Sequence, residues 1–512
     1  MDLVIRGGRV MDPETGFDSV CNVGIANGRI VEISEEAIHA DSEIDVSGCI
    51  VAPGFIDIHS HTSVTSHGGK LSLRNGVTTA MDFETGAINI AEWYSEREGA
   101  WQLNFGTTVS QGYARGVVLD GVDPESVRDM RDWAEFVESS GRDGDSSWST
   151  AIASVDELNR ILELLDRGLM EGALGIGSLL GYVAGGVTTR EMYETQKVGG
   201  AYGRLTAVHH RILSPLPPTE NSIGAAEVLW NGFVLDAPVV LCHFNVDNWP
   251  LVQEMLVKAR DHGMNAWGEV YPYTSGSTFI SADFFEPESW KRNFGPFEET
   301  VMNTRTGEYL TEAEVVRLRI EDPGLPVVCF MRPEEWVVPW LKMPGIVLAG
   351  DTMLAVNADG KELAWDDPYE SGAFHPRTAG TQGKALRLAR ENDVDWMQML
   401  SIASYNSAKH LGDAGVDAMK VRGRLQEGMV ADITVFEPDT VQEASGYAVG
   451  TNGLPTTGIP YVIVNGVVVV RDSKVLKDVN PGQPIRYNVE SESRFEPIPL
   501  TGDHVLKKDF PH

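Results

Sequence analysis

Apolar, strand-like runs alternate with helical stretches from Ile50 to about His410, and this alternation limits the possible folds more than any other feature of the chain. Two of the helical stretches are residues 155–169 and 251–262. The strand-like runs are residues 103–109, 172–177, 205–209, 239–243, 266–271 and 345–351. An alternation of this length is typical of a (β/α)8 barrel with insertions. We therefore predict an α/β fold with a TIM-like barrel.

Short β-type runs separated by Gly and Asp turns fill the first 57 residues, and the same pattern returns after Val421. Asn465-Gly466 lies between two apolar runs, which is a strong hairpin signal. Each set is too small for its own core, so we predict one β-sandwich domain built from both chain ends. The predicted boundaries are 1–57 and 416–488 for this domain, 58–415 for the barrel, about 284–343 for a Pro-, Glu- and Trp-rich insertion, and 489–512 for a polar tail.

The chain of 512 residues has 41 basic and 74 acidic residues, which gives a net charge of −33. This charge argues against nucleic acid or an anionic membrane as a partner, and an anionic substrate would need a locally positive pocket. A well-solvated surface explains the charge, and a salt-rich habitat is the alternative. No apolar run reaches the ~18 residues of a membrane span, and the N-terminus lacks a signal-peptide pattern, so we expect a cytoplasmic protein. The four cysteines form no CxxC motif, which argues against disulfides and a cysteine-rich zinc site.

His59 and His61 close an apolar run, and side chains at i and i+2 of a strand point to the same face. Both imidazoles can therefore bind one metal ion, because neutral imidazole is a preferred zinc ligand. His209, His243 and Asp351 also end apolar runs, at the strand ends where barrels place their active sites. A single strand-end histidine is more often structural, and Asp351 alone could cap a helix. Their joint order predicts a metal site.

This order of four histidines and a late aspartate resembles the amidohydrolase superfamily. Finer motifs resemble the D-aminoacylases and their D-glutamate-deacylase-like relatives. These motifs are PGFIDIHSH (53–61), NGVTTAMDFETG (75–86), EGALGIGSLLGY (171–182), VHHR (208–211), LCHFN (241–245), YPYTSGST (271–278), HPRTAGT (375–381), GRLQEGMVADITVFEP (423–438) and GIPYVIVNG (458–466). The resemblance implies one or two ions of zinc or a similar divalent metal. It implies that His209 and His243 form a tight site, His59 and His61 a neighbouring or weaker one, and that Asp351 is the general base.

One departure from the family lies after Gly76-Val77-Thr78-Thr79, where D-aminoacylases have a cysteine ligand in GNCG. This chain has Asp82-Phe83-Glu84-Thr85-Gly86 there, and the D-glutamate-deacylase-like relatives also resemble it in carrying an acidic residue. Strand parity cannot choose between Asp82 and Glu84. Glu84 lies further toward the carboxyl end of the strand, where active sites form, so we predict that it is a metal ligand able to bridge two ions. The alternative is that Glu84 only pairs with a nearby cation.

A second departure concerns the substrate carboxylate, because the family's lysine two residues after the ISH histidine is the neutral Asn245 here. Arg377 of the HPR motif can hold a carboxylate through two parallel hydrogen bonds, although an ion pair is an equal alternative. Arg211 is an outside candidate for the same role. Candidate neutral donors, which could also be packing residues, are Tyr182, Tyr271 and Ser277.

The resemblance and the metal chemistry together predict a metal-dependent hydrolase of a linear amide, acting on a small molecule such as an N-acyl-D-amino acid, and compatible with a homo-oligomer. One alternative is an amidohydrolase of a cyclic amide, carbamate or dipeptide. Many of these use a carboxylated lysine, and no lysine ends an early or middle strand; Lys197 lies in a helical stretch. The other alternative is a non-enzymatic scaffold, which the presence of all five metal-site residues disfavours.

Overall fold

The computed structural model describes residues 1–140, 146–211, 222–282 and 285–499. Its central feature is an eight-stranded sheet in which the strands follow one another in chain order, with parallel pairing wherever a register is defined. Barrel strands 1 to 8 are Phe55–Asp57, Val77–Ala87, Asn104–Ser110, Gly175–Ser178, Leu205–Val208, Val239–Leu241, Ala266–Val270 and Val347–Leu348. The predicted (β/α)8 barrel is confirmed.

Helices connect the barrel strands, as the alternating pattern requires. Those between strands 1 and 7 are Ser66–Arg74, Ile90–Arg97, Gln111–Arg115, Trp133–Ser140, Ser147–Thr150, Val155–Met170, Thr189–Ala201, Ser222–Leu235 and Trp249–Asp261. Those further along are Pro287–Phe294, Phe297–Thr300, Glu312–Glu321, Val337–Leu341, Arg377–Glu391, Trp396–Leu400, Asn406–Asp413 and Asp417–Lys420. None of the helices in the described ranges is long and apolar enough to cross a membrane.

The chain forms two compact units. The first contains Met1–Met81, Arg97–Phe105 and Glu269–Ile485, and the second contains Asp82–Glu96, Gly106–Gly268 and the described part of Arg486–His512. Barrel strands 2, 3 and 7 each have residues in both units. The predicted domain boundaries, which follow the barrel as a single body, stay a prediction.

In the first unit, both ends of the chain build a separate nine-stranded sheet. Strand Ile50–Pro53 pairs in parallel with Leu3–Asp12 on one side and antiparallel with Ile433–Phe436 on the other. The remaining strands are Phe17–Ala26, Arg29–Ser34, Ser42–Asp45, Tyr461–Val464, Val467–Arg471 and Lys474–Val475. Asn465 and Gly466 both have positive φ, 48° and 80°, as a tight hairpin turn requires. A sheet shared by the two chain ends is therefore confirmed.

The segment between barrel strands 7 and 8 forms a three-stranded antiparallel sheet. Its central strand, Pro326–Phe330, pairs with Ser275–Phe279 and Val301–Asn303. Trp290 is fully buried in its own apolar cluster with Phe285 and Phe297. Because Ser275–Phe279 lies upstream of residue 284, the inserted sheet starts earlier than the sequence pattern indicated.

The second unit contains barrel strands 4 to 6 with their helices. A capping box between Ser154 and Glu157 starts helix Val155–Met170, and Ile161 and Leu165 on its inner face are fully buried. The described part of the predicted polar tail packs in this unit, where Glu490 N donates to Met170 O at 2.8 Å. Residues 500–512 of that tail lie outside the described residues.

Candidate functional site

His59 and His61 follow barrel strand 1 in the first unit and are almost fully buried. Asp57, at the end of this strand, accepts hydrogen bonds from His59 N at 3.0 Å and from Gly350 N at 2.9 Å. A Cβ atom at Gly350 would lie 2.5 Å from Asp57 Oδ2, so only glycine fits beside this carboxylate. Burial raises the pKa of Asp57 to about 6. Asp57 therefore joins the ends of barrel strands 1 and 8, which carry His59 and Asp351.

His59, His61 and Asp351 belong to one group of side chains that could hold a metal ion, the first ligand group. The two Nε2 atoms of the histidines lie 3.1 Å apart, and Asp351 Oδ1 lies 3.5 Å from His59 Nε2 and 4.0 Å from His61 Nε2. Two ring nitrogens that face each other cannot both carry a proton. A cation between the two lone pairs and the carboxylate would satisfy all three groups.

Glu269 is a functional candidate that the sequence reasoning missed. It lies on barrel strand 7, is 1% exposed, and its Oε1 contacts His59 Nδ1. A carboxylate that accepts the Nδ1 proton of a histidine leaves Nε2 free to bind metal and fixes the orientation of the ring. The sequence signal was available, because an ionisable side chain inside the apolar run 266–271 needs a buried partner.

Asp351 and His243 both have positive φ, 45° and 28°. Residues other than glycine rarely adopt such backbone angles, and strain of this kind is concentrated at functional sites. Asp351 and His243 each lie just beyond a short barrel strand, where a sharp turn is needed to direct the side chain.

Glu84, His209 and His243 form the second ligand group, which lies in the second unit. Glu84 Oε1 is 2.6 Å from His209 Nδ1 and 3.1 Å from His243 Nε2. The two imidazole rings cross edge to face, with their centroids 4.4 Å apart. All three side chains are buried, and they direct one oxygen and two nitrogens to a common point.

Asp82, the other carboxylate in residues 82–86, has a different environment from Glu84. Its Oδ1 accepts a hydrogen bond from Thr85 N at 3.0 Å, so it supports the end of barrel strand 2. Glu84 is the carboxylate that lies against His209 and His243. Its role as a bridging ligand stays a prediction.

Arg377 lies against Asp351 rather than on the surface. Its Nη2 is 2.8 Å from Asp351 Oδ1 and donates to Ser277 O at 3.4 Å. Its guanidinium carbon is 4.8 Å from the centroid of the Tyr271 ring. Among the described residues, nothing accepts a hydrogen bond from the buried Nε and Nη1 atoms of Arg377. Arg377 therefore fixes Asp351 and keeps two donors for a ligand.

His375 connects the HPR and YPYTSGST motifs. Its Nδ1 accepts the backbone N–H of Arg377 at 3.0 Å, and its Nε2 lies 2.8 Å from Ser275 Oγ, which is 2.6 Å from the Tyr447 hydroxyl. Burial lowers the pKa of His375 well below its usual value. A neutral ring that accepts at Nδ1 donates from Nε2, so His375 orients the start of helix Arg377–Glu391 and does not act as a base for Ser275.

The remaining candidates differ in their surroundings. Tyr182 packs on His209, with ring centroids 4.7 Å apart. Ser277 Oγ donates to Val327 O at 2.8 Å within the inserted sheet. Arg211 pairs with Glu227 at 2.7 Å and serves a structural role. Lys197 is 48% exposed and pairs with Glu194 on the surface of its helix.

The donor sets of the two groups are chemically suited to a divalent ion. Imidazole nitrogens with one carboxylate are the ligands of zinc and similar transition metals, whereas magnesium and calcium prefer oxygen ligands alone. The three side chains of each group converge so that their ligand atoms lie within 4.8 Å of one another. Both of these groups therefore have the donors to bind metal.

No protein-family model matches the chain. It is similar to D-aminoacylase from Alcaligenes xylosoxydans xylosoxydans, with 27% identity over 504 residues that cover 91% of this chain and 94% of the relative. N-acyl-D-glutamate deacylase from the same organism is 26% identical over 489 residues, which cover 92% and 93%. The fold is similar to the crystal structure of N-acyl-D-glutamate deacylase from Bordetella bronchiseptica, solved with zinc and a phosphonate inhibitor, with a TM-score of 0.73, 22% identity and coverage of 95% and 99%.

Nearly full-length similarity to both deacylases agrees with the motifs read from the sequence. The histidines and the aspartate of those motifs lie in groups of side chains that could hold a metal ion. The predicted resemblance of the chain to D-aminoacylase and N-acyl-D-glutamate deacylase is therefore confirmed over nearly its whole length.

Proposed function

We propose that the protein is a metal-dependent hydrolase that removes the acyl group from an N-acyl-D-amino acid. The observation that carries this proposal is the buried Arg377, which keeps two free donors beside Asp351 and the first ligand group. A metal site alone would suit any hydrolase of the superfamily. The arginine adds a place for the carboxylate of an amino acid.

The second ligand group, with Glu84, His209 and His243, would hold the tighter ion, as the resemblance to the deacylases implies. The first group would hold a second or weaker ion through His59 and His61. Zinc suits both donor sets. A bound divalent ion would lower the pKa of a coordinated water and polarise the amide carbonyl.

Asp351 is the proposed general base. Its Oδ1 lies toward His59, His61 and Arg377. The Asp351 carboxylate would take the proton of the attacking water and later give it to the leaving amine nitrogen. Arg377 would keep the carboxylate in one orientation during both transfers.

The substrate carboxylate would bind at Arg377 Nε and Nη1, with Tyr271, Ser277 and Tyr182 as the further proposed binding residues. The α-carboxylate is one carbon from the amide nitrogen of the substrate. A group that binds it must therefore lie close to the base, as Arg377 does. This arrangement compensates for the neutral Asn245 at the position of the family's lysine.

An enzyme for cyclic amides that depends on a carboxylated lysine is the alternative. The surface position of Lys197, paired with Glu194, argues against it. The cytoplasmic location and the oligomeric state of the protein stay predictions.

The test is a panel of N-acetyl and N-formyl amino acids in both configurations, assayed with purified protein whose metal content is measured by mass spectrometry. We expect at least one bound ion per chain, hydrolysis of D substrates, and loss of activity with a chelator that zinc restores. Dihydrouracil and hydantoin serve as cyclic controls. A metal-loaded protein that hydrolyses cyclic amides and no N-acyl-amino acid would contradict the proposal.

A further inference from the structure

Helix Ser222–Leu235 in the second unit is largely apolar on both of its faces. Its inner face is closely packed, because a Cβ atom at Gly232 would lie 2.4 Å from Met264 Cε. Its one charged residue, Glu227, pairs with Arg211 at 2.7 Å. A helix on the surface of a globular protein normally has one polar face, whereas a helix that is apolar all round is buried. The outer face of this helix therefore calls for a covering partner.

Four large apolar side chains are exposed on that outer face. Ile223, Trp230 and Val234 are spaced by seven and four residues, which places them in one row along a helix. They are 47%, 64% and 48% exposed. Phe233 is 53% exposed and lies beside Trp230, with ring centroids 6.3 Å apart. These four residues, which we call the outer stripe, form one apolar surface with two aromatic rings at its centre.

The area of the outer stripe suits the core of a protein interface. A large side chain has about 150–250 Å² of surface, so four that are half exposed present roughly 400 Å². An apolar patch of this size marks an interaction site more often than a solvated surface. Two such patches in contact would remove about 800 Å² from water, about half of a standard interface of roughly 1,600 Å². The polar rim of an ordinary interface supplies the remainder.

The charge of the chain indicates what covers the outer stripe. A net charge of −33 would attract a basic partner to the acidic surface and repel an anionic membrane, and neither requires a face without charge. Two copies of this chain repel each other through most of their surfaces. They can approach only where charged side chains are absent, as on the outer stripe. The stripe therefore fits a second copy of itself.

We propose that helix Ser222–Leu235 forms the centre of an interface between two copies of this chain. Positions 223 and 234 are equally far from the middle of the helix. In an antiparallel pair related by a two-fold axis, Ile223 would therefore pack against Val234 of the partner subunit, with Trp230 close to the axis. Such a contact uses the same patch on both copies, so it closes after two chains and produces a dimer. This inference does not depend on the proposed deacylase function.

The test measures the mass of the full-length protein by sedimentation velocity over a dilution series. Trp230→Glu and Phe233→Glu place a charge in the outer stripe, and Trp230→Ala removes an aromatic ring without adding a charge. Ile320→Glu is the matched control, because Ile320 is 81% exposed and lies on helix Glu312–Glu321 in the first unit. Circular dichroism and metal content show whether each variant keeps its fold.

We expect the wild type and Ile320→Glu to sediment at about twice the chain mass of 55.9 kDa. Trp230→Glu and Phe233→Glu should sediment as monomers with unchanged circular dichroism and metal content. Trp230→Ala should raise the dissociation constant of the dimer at least about 30-fold, the effect of truncating a central aromatic residue. The helix lies outside the barrel strands whose carboxyl ends carry the ligand groups, so metal binding should not change.

A second pair of variants tests the two-fold arrangement. Ile223→Lys and Val234→Glu should each be monomeric alone, because each places two like charges in the interface. A mixture of the two proteins should form a mixed dimer, since the lysine of one chain would face the glutamate of the other. A mixture that stays monomeric would refute the antiparallel pairing.

A wild-type protein that is monomeric at the highest concentration would overturn the inference. A dimer that all variants of the outer stripe retain would also overturn it, because the interface would then lie elsewhere. A monomeric wild type that floats with phosphatidylcholine vesicles would assign the outer stripe to a lipid surface instead. If the charged variants failed to fold, the wild-type mass and Trp230→Ala would decide.

Discussion

Asp351→Asn separates the chemical role of this residue from its structural role. Asparagine keeps the shape of the side chain and an oxygen that can accept from Arg377 Nη2, but it cannot take a proton. Loss of a general base usually reduces turnover about 10²- to 10⁴-fold, or roughly 2.7 to 5.4 kcal/mol in the barrier. The ion bound by Glu84, His209 and His243 should remain, because Asp351 does not belong to that group.

The expected change in stability is smaller and follows from the contact with Arg377. The 2.8 Å ion pair joins a guanidinium that is 1% exposed to a carboxylate that is 10% exposed. Exchanging a charged acceptor for a neutral one at a buried site should reduce the free energy of unfolding by about 1 to 2 kcal/mol. Asparagine also tolerates the positive φ of 45° at this position, so the backbone should add no further cost.

Asp351→Ala is the matched comparison. Alanine removes the acceptor, leaves Arg377 without an ion-pair partner and fits poorly at positive φ, so its loss of stability should be about 3 to 5 kcal/mol. Both variants should be equally inactive. In chemical denaturation, the free energy of unfolding should decrease from the wild type to Asp351→Asn and then to Asp351→Ala. Near wild-type turnover of Asp351→Asn would remove the residue from catalysis, and equal stability of the two variants would refute the argument from Arg377.

Three further outcomes are expected. Glu84→Gln should lose bound metal and activity together because a ligand charge is removed, whereas Asp82→Asn should retain most of both. The metal content of the two purified proteins tests this, and a metal-replete Glu84→Gln protein would contradict the role of Glu84. Arg377→Met should raise KM for the free acid more than for an N-acyl-amino-acid amide and also lower kcat, since the arginine holds Asp351 as well as the substrate. An unchanged ratio of the KM values for acid and amide would leave Arg377 only its structural contact with Asp351. Burial depresses the pKa of His375, so as pH falls below about 6.5 the unfolded state takes up a proton first and the free energy of unfolding drops by up to about 1.4 kcal/mol per pH unit. His375→Gln should therefore flatten the dependence of the free energy of unfolding on pH between pH 6.5 and 5. An identical dependence in denaturation experiments would show that His375 titrates normally.

Features set by local geometry could be predicted from the sequence. His59 and His61 lie together just beyond the end of barrel strand 1, where the spacing of the two histidines predicted a shared site. Asn465-Gly466 makes a hairpin because both residues tolerate positive φ. The alternation of apolar runs predicted the barrel for a similar reason, since a parallel strand needs a helix to return the chain.

Features that depend on tertiary partners could not be predicted. Barrel strand 8 is only Val347–Leu348, although the apolar run 345–351 predicted a longer strand. The contact of Glu269 with His59 joins residues 210 positions apart. Such contacts are made by tertiary packing, which the local sequence pattern does not reveal.

The sheet built from both chain ends affects how the protein folds during synthesis on the ribosome. Arg29 donates to Gly428 O, a bond between residues 399 positions apart, and Ile50–Pro53 pairs with Ile433–Phe436. The strands made first must therefore wait with an unpaired edge until nearly the whole chain has been synthesised. During this interval the apolar strand Ile50–Pro53 is a template for pairing between nascent chains, which gives chaperones a defined segment to protect.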